Sequence, residues 1–100
     1  MSAKIVQINY KLNAPRAEYE KENLPYGQPI ADVPGLRWKV WIINEAKSEA
    51  GGIYLFDNDA AVNAFVGGPI IAEMKGDPTL SIKAFDVMPE LTAITRGPVN

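Results

Sequence analysis

Lys39, Trp41 and Tyr54 are the side chains of this 100-residue chain whose types and spacing suit chemistry. They lie in Gly35–Phe56, GLRWKVWIINEAKSEAGGIYLF, where two runs of β-branched and aromatic residues flank a polar segment. Such runs suit a pleated, packed surface, and the stretch reads as a β-hairpin. Its strands are Leu36–Ile43 and Gly51–Phe56, and Asn44 to Glu49 is the turn. Strand parity places Arg37, Lys39 and Trp41 on one face, and Tyr54 and Phe56 on one face of the second strand. If Lys39 pairs opposite Tyr54, these side chains form one mixed aromatic and polar surface; a slip of one residue reverses it. On that surface a desolvated Lys39 has a lowered pKa and accepts a proton or stabilises a phenolate. Tyr54 donates a hydrogen bond, and Trp41 stacks on a flat ligand. The candidate catalytic residues are therefore Tyr54 and Lys39, and the candidate substrate-binding residues are Trp41, Trp38 and Phe56. The opposite face, Trp38, Val40, Ile42, Ile53 and Leu55, is apolar throughout and reads as core. A plain structural role stands beside each assignment: Trp38 as core, Tyr54 as a packed ring with a satisfied hydroxyl, Lys39 as a side chain that snorkels outward or pairs with a carboxylate.

Composition narrows the chemistry further. The chain has no histidine and no cysteine. That excludes His-dependent triads, thiolate metal sites and the usual zinc sites. Gly51-Gly52 opens a strand rather than a helix, so it is no dinucleotide loop. Oxygen chemistry usually borrows a cofactor. With no cofactor and no metal expected here, the substrate itself must supply the electrons, as a deprotonated aromatic phenol does. The protein then contributes a dry slot, hydrogen bonds to the phenolate and a place for the proton. Net charge is −2 with no basic run, which leaves no nucleic-acid footprint. No apolar run approaches the roughly 18 residues of a membrane span. The N-terminus runs directly into a strand pattern without a signal peptide, so the expected compartment is the cytoplasm. Glu18, Glu20 and Glu22 read as a solvated helix face, and Asp57 and Asp59 as helix-start residues, not as an acid–base pair.

The elements that must position the hairpin follow from periodicity. The length predicts one domain over residues 1–100. Lys4 to Leu12 alternates, with Val6, Ile8, Tyr10 and Leu12 on one face, which predicts a strand. Asn13 offers a cap, Pro15 suits a first helical turn, and residues 16–24 are helix formers with Tyr19 and Leu24 inward. Pro25, Gly27 and Pro29 should break or kink this helix. Asp57-Asn58-Asp59 starts a second helix, whose stripe is Ala61, Val62, Phe65 and Val66. Gly67-Gly68-Pro69 interrupts it, and Ile70, Ile71 and Met74 continue. Leu80 to Met88 alternates as a fourth strand, and Leu91 and Ile94 are the expected anchors of the tail. The order β-α-β-β-α-β predicts a ferredoxin-like α+β fold with a four-stranded antiparallel sheet and both helices on one face. A sheet with one wet face should alternate between apolar and polar. Here both faces carry large apolar side chains, which predicts a homodimer whose sheets pack on each other.

WKVW at Trp38–Trp41, EAGGIYLF at Glu49–Phe56 and KAFDV at Lys83–Val87 resemble the YdhR-type mono-oxygenase family of bacteria, over roughly Asn13 to Asp86. The resemblance implies a dimeric α+β barrel, in which two ferredoxin-like sheets close on each other. It also implies cofactor-independent mono-oxygenation of a small aromatic, phenolic or quinol-like substrate by molecular oxygen. The alternative on the same fold is a non-catalytic dimer that binds a small ligand; an isomerase or lyase needing only proton transfer is a third reading. The Pro25-Tyr26-Gly27-Gln28-Pro29 and Gly67-Gly68-Pro69 runs depart from the family pattern and bear on the shape of any pocket between helices and sheet.

Overall fold

A computed structural model describes residues 3–99. The strands are β1 (Lys4–Lys11), β2 (Leu36–Asn44), β3 (Glu49–Phe56) and β4 (Ser81–Asp86), and the helices are α1 (Arg16–Asn23), α2 (Gly27–Ala31), α3 (Asp59–Val66), α4 (Pro69–Ala72) and α5 (Pro89–Ile94). The sheet order is β2-β3-β1-β4 with every pair antiparallel. This is the ferredoxin-like arrangement, with crossovers from β1 to β2 and from β3 to β4.

Local chemistry explains most of the boundaries. The β2–β3 turn is a short 3-10 helix at Glu45–Lys47; the Asn44 side chain accepts from the Lys47 N–H, and Ser48 at φ 51° closes the turn. The β3 strand starts two residues before the expected Gly51, at Glu49. Asn58 caps α3 by accepting from the Ala61 N–H, and Asp59 sits in the first turn near the positive end of the helix dipole. Asn13 does not cap α1: Pro15 is the N-cap residue, with no side-chain cap bond. The prolines do not break the first helical region sharply. Pro25 falls in a 3-10 turn at Leu24–Tyr26 and Pro29 in the first turn of α2, where a missing N–H leaves no helical bond unmade.

The helices cover the face of the sheet that holds Val6, Ile8, Tyr54 and Phe56. Ile30, Val62, Phe65 and Ile71 complete that core. The apolar face expected to be core is the other one, and it is largely open: Val40 is 51% and Phe85 47% exposed. Alternation sorts side chains into two sets. Which set the helices cover depends on the handedness of the two crossovers, a property of the chain path. Leu55, on the open face, is nevertheless buried.

A bulge refines the face assignment. Leu36 pairs with Phe56 and Trp38 with Leu55, so Arg37 is an extra residue in β2. Leu36 is thereby brought to the helix side, where it packs on the core. Arg37 leaves the Lys39–Trp41 row; it donates to Asp57 at 2.6 Å and to the Val99 carbonyl at 2.7 Å. The tail is held differently from expectation. Leu91 and Ile94 are 60% and 73% exposed, while the Arg37 bond and a Trp38 indole N–H that donates to the Pro98 carbonyl at 2.7 Å tether the end of the tail.

Candidate functional site

The hairpin register pairs Lys39 with Tyr54 and Trp41 with Gly52, so the mixed surface read from the sequence exists, and it faces the helices. Gly52 shapes it. A Cβ there would stand 2.5 Å from Lys39 Cε and 3.2 Å from Tyr54 Cε1. The bare backbone therefore lets the Lys39 chain lie across the hairpin. The Lys39 ammonium ends 3.2 Å from the centroid of the Trp41 ring and 4.7 Å from that of Tyr54. Gly51 answers a different demand: its Cβ would fall 1.8 Å from the Ile8 carbonyl oxygen, on neighbouring backbone.

These side chains border a cavity of about 260 Å³ between the sheet and the helical layer. Its floor comes from β1, β2 and β3 through Tyr10, Lys39, Trp41, Gly51 and Tyr54. Its walls come from Asn23, Tyr26 and Ile30 on one side and Ile70, Glu73 and Met74 on the other. A second hollow of about 300 Å³ lies under α1 and the turn after it, lined by Tyr19, Glu20, Asn23, Leu24 and Gly27, and it shares Asn23 and Trp41 with the first. Trp41 on the edge strand is 40% exposed and so stands between the two.

Burial sets the protonation of this floor. It lowers the Lys39 amine from 10.5 to about 7, because a desolvated ammonium is disfavoured. The ring faces of Trp41 and Tyr54 favour the cation by about 0.5–2 kcal/mol, equivalent to about 0.4–1.5 pKa units. That is smaller than the effect of burial, so the amine is poised near neutrality. No carboxylate forms an ion pair with it among the described residues. Burial pushes the Tyr54 phenol well above its ordinary value. Burial, then a hydrogen bond with the Tyr19 hydroxyl, does the same to Tyr10. Both phenols are therefore neutral across the physiological range, the Tyr10 hydroxyl engaged with that of Tyr19. Among the described residues no side chain or backbone group hydrogen-bonds to the Tyr54 hydroxyl, yet it is not sealed away from the cavity. A base able to take a proton, a neutral donor and an indole thus meet in one apolar hollow.

Of the five residues singled out from the sequence, Lys39, Tyr54 and Trp41 come together. Phe56 is fully buried beside Tyr54 on the same face of β3, its ring 5.3 Å from that of Phe65 and 6.1 Å from that of Tyr54; it packs under Phe65 in the core and does not line the cavity. Trp38 projects from the opposite face and is engaged by the tail. Tyr10, Asn23, Tyr26 and Glu73 were not among the sequence candidates. Tyr10 carried a signal, since it shares parity with Val6 and Ile8. Tyr26 did not: it stands in the breaker run Pro25–Pro29, and only the winding of that run brings it to the wall.

No curated protein matches the chain by sequence. Solved structures match its fold. SnoaB, a cofactor-independent oxygenase from Streptomyces nogalater, superposes with a TM-score of 0.67 over 88% of this chain and 95% of its own, at 12% identity. The monooxygenase ActVA-Orf6 of Streptomyces coelicolor, in complex with nanaomycin D, gives 0.58 over 86% of each chain at 17% identity. The heme-degrader MhuD of Mycobacterium tuberculosis, with two hemes in its active site, gives 0.59 over 84% of this chain and 95% of its own at 22% identity. Identities this low establish the shared fold. The family described as Putative mono-oxygenase ydhR matches residues 5–98, a longer span than the Asn13–Asp86 resemblance, taking in most of β1 and the tail. By that match the chain belongs to the ydhR mono-oxygenase family.

Proposed function

We propose that this protein is a cofactor-independent mono-oxygenase acting with molecular oxygen on a small aromatic phenol or quinol-like substrate, and that it works as a homodimer. One observation carries the reading: the Lys39 amine, held near neutrality and with no ion-pair partner among the described residues, shares a cavity with the Tyr54 hydroxyl and the Trp41 ring. The cavity, about 260 Å³, lies just below the ~300–1,000 Å³ of typical small-molecule pockets and suits a compact ring system.

The chemistry balances with these residues alone. The substrate phenol gives its proton to the Lys39 amine. The anion, steadied by the Tyr54 hydroxyl, transfers one electron to oxygen. The two radicals join through a new carbon–oxygen bond, and Lys39 returns its proton to the peroxide. Loss of water leaves a carbonyl. One CH₂ of the phenol's keto form has become C=O; one oxygen atom is in the product and the other in water. Donors already aimed at the developing charge need no reorganisation as it forms.

The dimer is supported by the open sheet face. Val40 and Phe85 stand about half exposed there, with Ile42 and Ile53 in the central rows. A second copy of the same sheet covers such a face with matched apolar area. The test of the activity is oxygen uptake in air by purified protein with anthrone-like and hydroquinone-like compounds. Uptake above the spontaneous rate is the expected result. Binding of these compounds with uptake at the buffer rate across the panel refutes catalysis and leaves a small-ligand-binding dimer.

A further inference from the structure

We propose that Lys39 is also a nucleophilic amine that captures aromatic aldehydes and ketones as an imine within the cavity. This goes beyond oxygen use and does not depend on it. The geometry carries the inference. The Lys39 chain lies along Gly52 and delivers its nitrogen into the cavity against the Trp41 and Tyr54 rings. Among the described residues no ion pair holds it. Lys4, by contrast, is clamped between Asp59 and Asp86, and the other five lysines are exposed on the surface. A lysine desolvated in an apolar pocket is the arrangement that favours Schiff-base formation, because the neutral amine is the nucleophile. Burial has the required effect here, bringing Lys39 to about 7. The other titratable groups on the cavity are Tyr10 on β1, Tyr54 on β3, Tyr26 in the turn before α2, and Glu73 at the end of α4. Tyr10 and Tyr54 stay neutral well above this range.

The step is a condensation. The amine nitrogen bonds to the carbonyl carbon, and the carbonyl oxygen leaves as water with the two amine hydrogens. The neutral Tyr54 hydroxyl is the donor on the same floor for the departing oxygen. The Trp41 and Tyr54 rings beside the amine select aromatic over small hydrophilic carbonyl compounds. No electrons change hands, so neither oxygen nor a reductant is consumed until the imine is trapped deliberately.

The experiment uses benzaldehyde as the probe, with cyanoborohydride to fix any imine as a stable amine, followed by intact mass and peptide mapping. At pH 7 an amine with a pKa of about 7 is about half neutral, whereas an ordinary lysine is neutral in roughly one molecule in three thousand. Lys39 should therefore be modified at least about tenfold faster than any other lysine, even after allowance for the weaker nucleophilicity of a less basic amine. The preference should vanish in urea, where every lysine is solvated. Lys39→Arg, which forms no imine, should remove the fast adduct. The α-amino group also titrates near neutrality, and mapping separates it from Lys39. Labelling of Lys39 at the rate of the surface lysines, labelling confined to the α-amino group, or a preference that survives in urea each overturns the proposal. The wild-type comparison decides the matter even if the variant does not fold. Because the readout is an adduct and not oxygen uptake, it fails or succeeds independently of the oxygenase reading.

Discussion

Gly51 and Gly52 are adjacent, both buried, and answer to different neighbours, so alanine at each position separates stability from site geometry. At Gly51 the new Cβ would meet the Ile8 carbonyl oxygen at 1.8 Å, with the Ile8 carbonyl carbon at 2.8 Å and Asn9 Cα at 3.0 Å. Those atoms belong to the β1 backbone and can move only if β1 and β3 part. Overpacking of this kind costs about 3 kcal/mol or more. In a domain of this size that lowers Tm by about 12–24 °C. At Gly52 the Cβ would meet Lys39 Cε at 2.5 Å, the far end of a flexible chain that swings aside, and Tyr54 Cε1 at 3.2 Å, a contact that a shift of a few tenths of an ångström relieves. The relief of unfolded-state entropy on Gly→Ala, about 0.4–1 kcal/mol, roughly offsets the disturbance, and Gly52→Ala should keep its stability within about 1 kcal/mol. What it loses is the position of the amine. Thermal unfolding at one fixed protein concentration, with a pH titration of isotopically labelled lysine by NMR, checks both halves. The Lys39 midpoint should climb from about 7 toward 10.5 in Gly52→Ala, and substrate-dependent oxygen uptake should fall with it. Equal Tm for Gly51→Ala and wild type, or an unmoved Lys39 midpoint in Gly52→Ala, refutes the division of labour.

Tyr54→Phe should lower oxygen uptake about a hundredfold by removing a donor to developing charge, with the fold retained by circular dichroism; an equal rate removes Tyr54 from the mechanism. Lys39 is depressed in the folded state, so the unfolded chain binds the extra proton between about pH 7 and 10.5, and its contribution makes stability rise with pH across that window. The slope is bounded by about 1.4 kcal/mol per pH unit and lies well below it for a partly exposed group. Lys39→Met should therefore be more stable than wild type at pH 6, and denaturant titrations should show the gap closing toward pH 10; a constant gap contradicts the burial of the amine. Above pH 10 the raised Tyr10 and Tyr54 act in the opposite sense, because the unfolded phenols ionise first. Val40→Arg on the open face should convert a dimer of twice the 10.9 kDa chain mass into monomer by size exclusion with light scattering; a wild type that is already monomeric at micromolar concentration ends the homodimer proposal.

The Lys39–Tyr54 pairing was one of the registers that alternation left open, and the structure adopts it; the strand order along the chain and the hairpin were legible in the residues, because period-two alternation and a short polar turn mark them locally. So was the company of Lys39, Trp41 and Tyr54, which follows from parity once the pairing holds. The ferredoxin-like topology followed from element order alone. What lies above the sheet was not legible. Alternation made the wholly apolar set, Val40 and Ile42 with Ile53 and Leu55, look like the core, yet the helices took the opposite face. That choice belongs to the crossovers, whose handedness acts over tens of residues and leaves no mark on any one strand. The Arg37 bulge moved Leu36 inward and Arg37 out of the row, an irregularity that strict alternation cannot express. Phe56 shares parity with Tyr54 but lies two residues further along the strand, under Phe65, so depth separated a floor residue from a core residue. The walls, Tyr10 beside β3 and Tyr26 and Glu73 from the two helical regions, meet only because segments far apart in the chain pack over the same strands. Residue types and spacing thus determined which groups stood side by side on a strand. Tertiary packing alone decided which of them it enclosed, and it is enclosure that withdraws water from Lys39 and brings its amine close to neutrality.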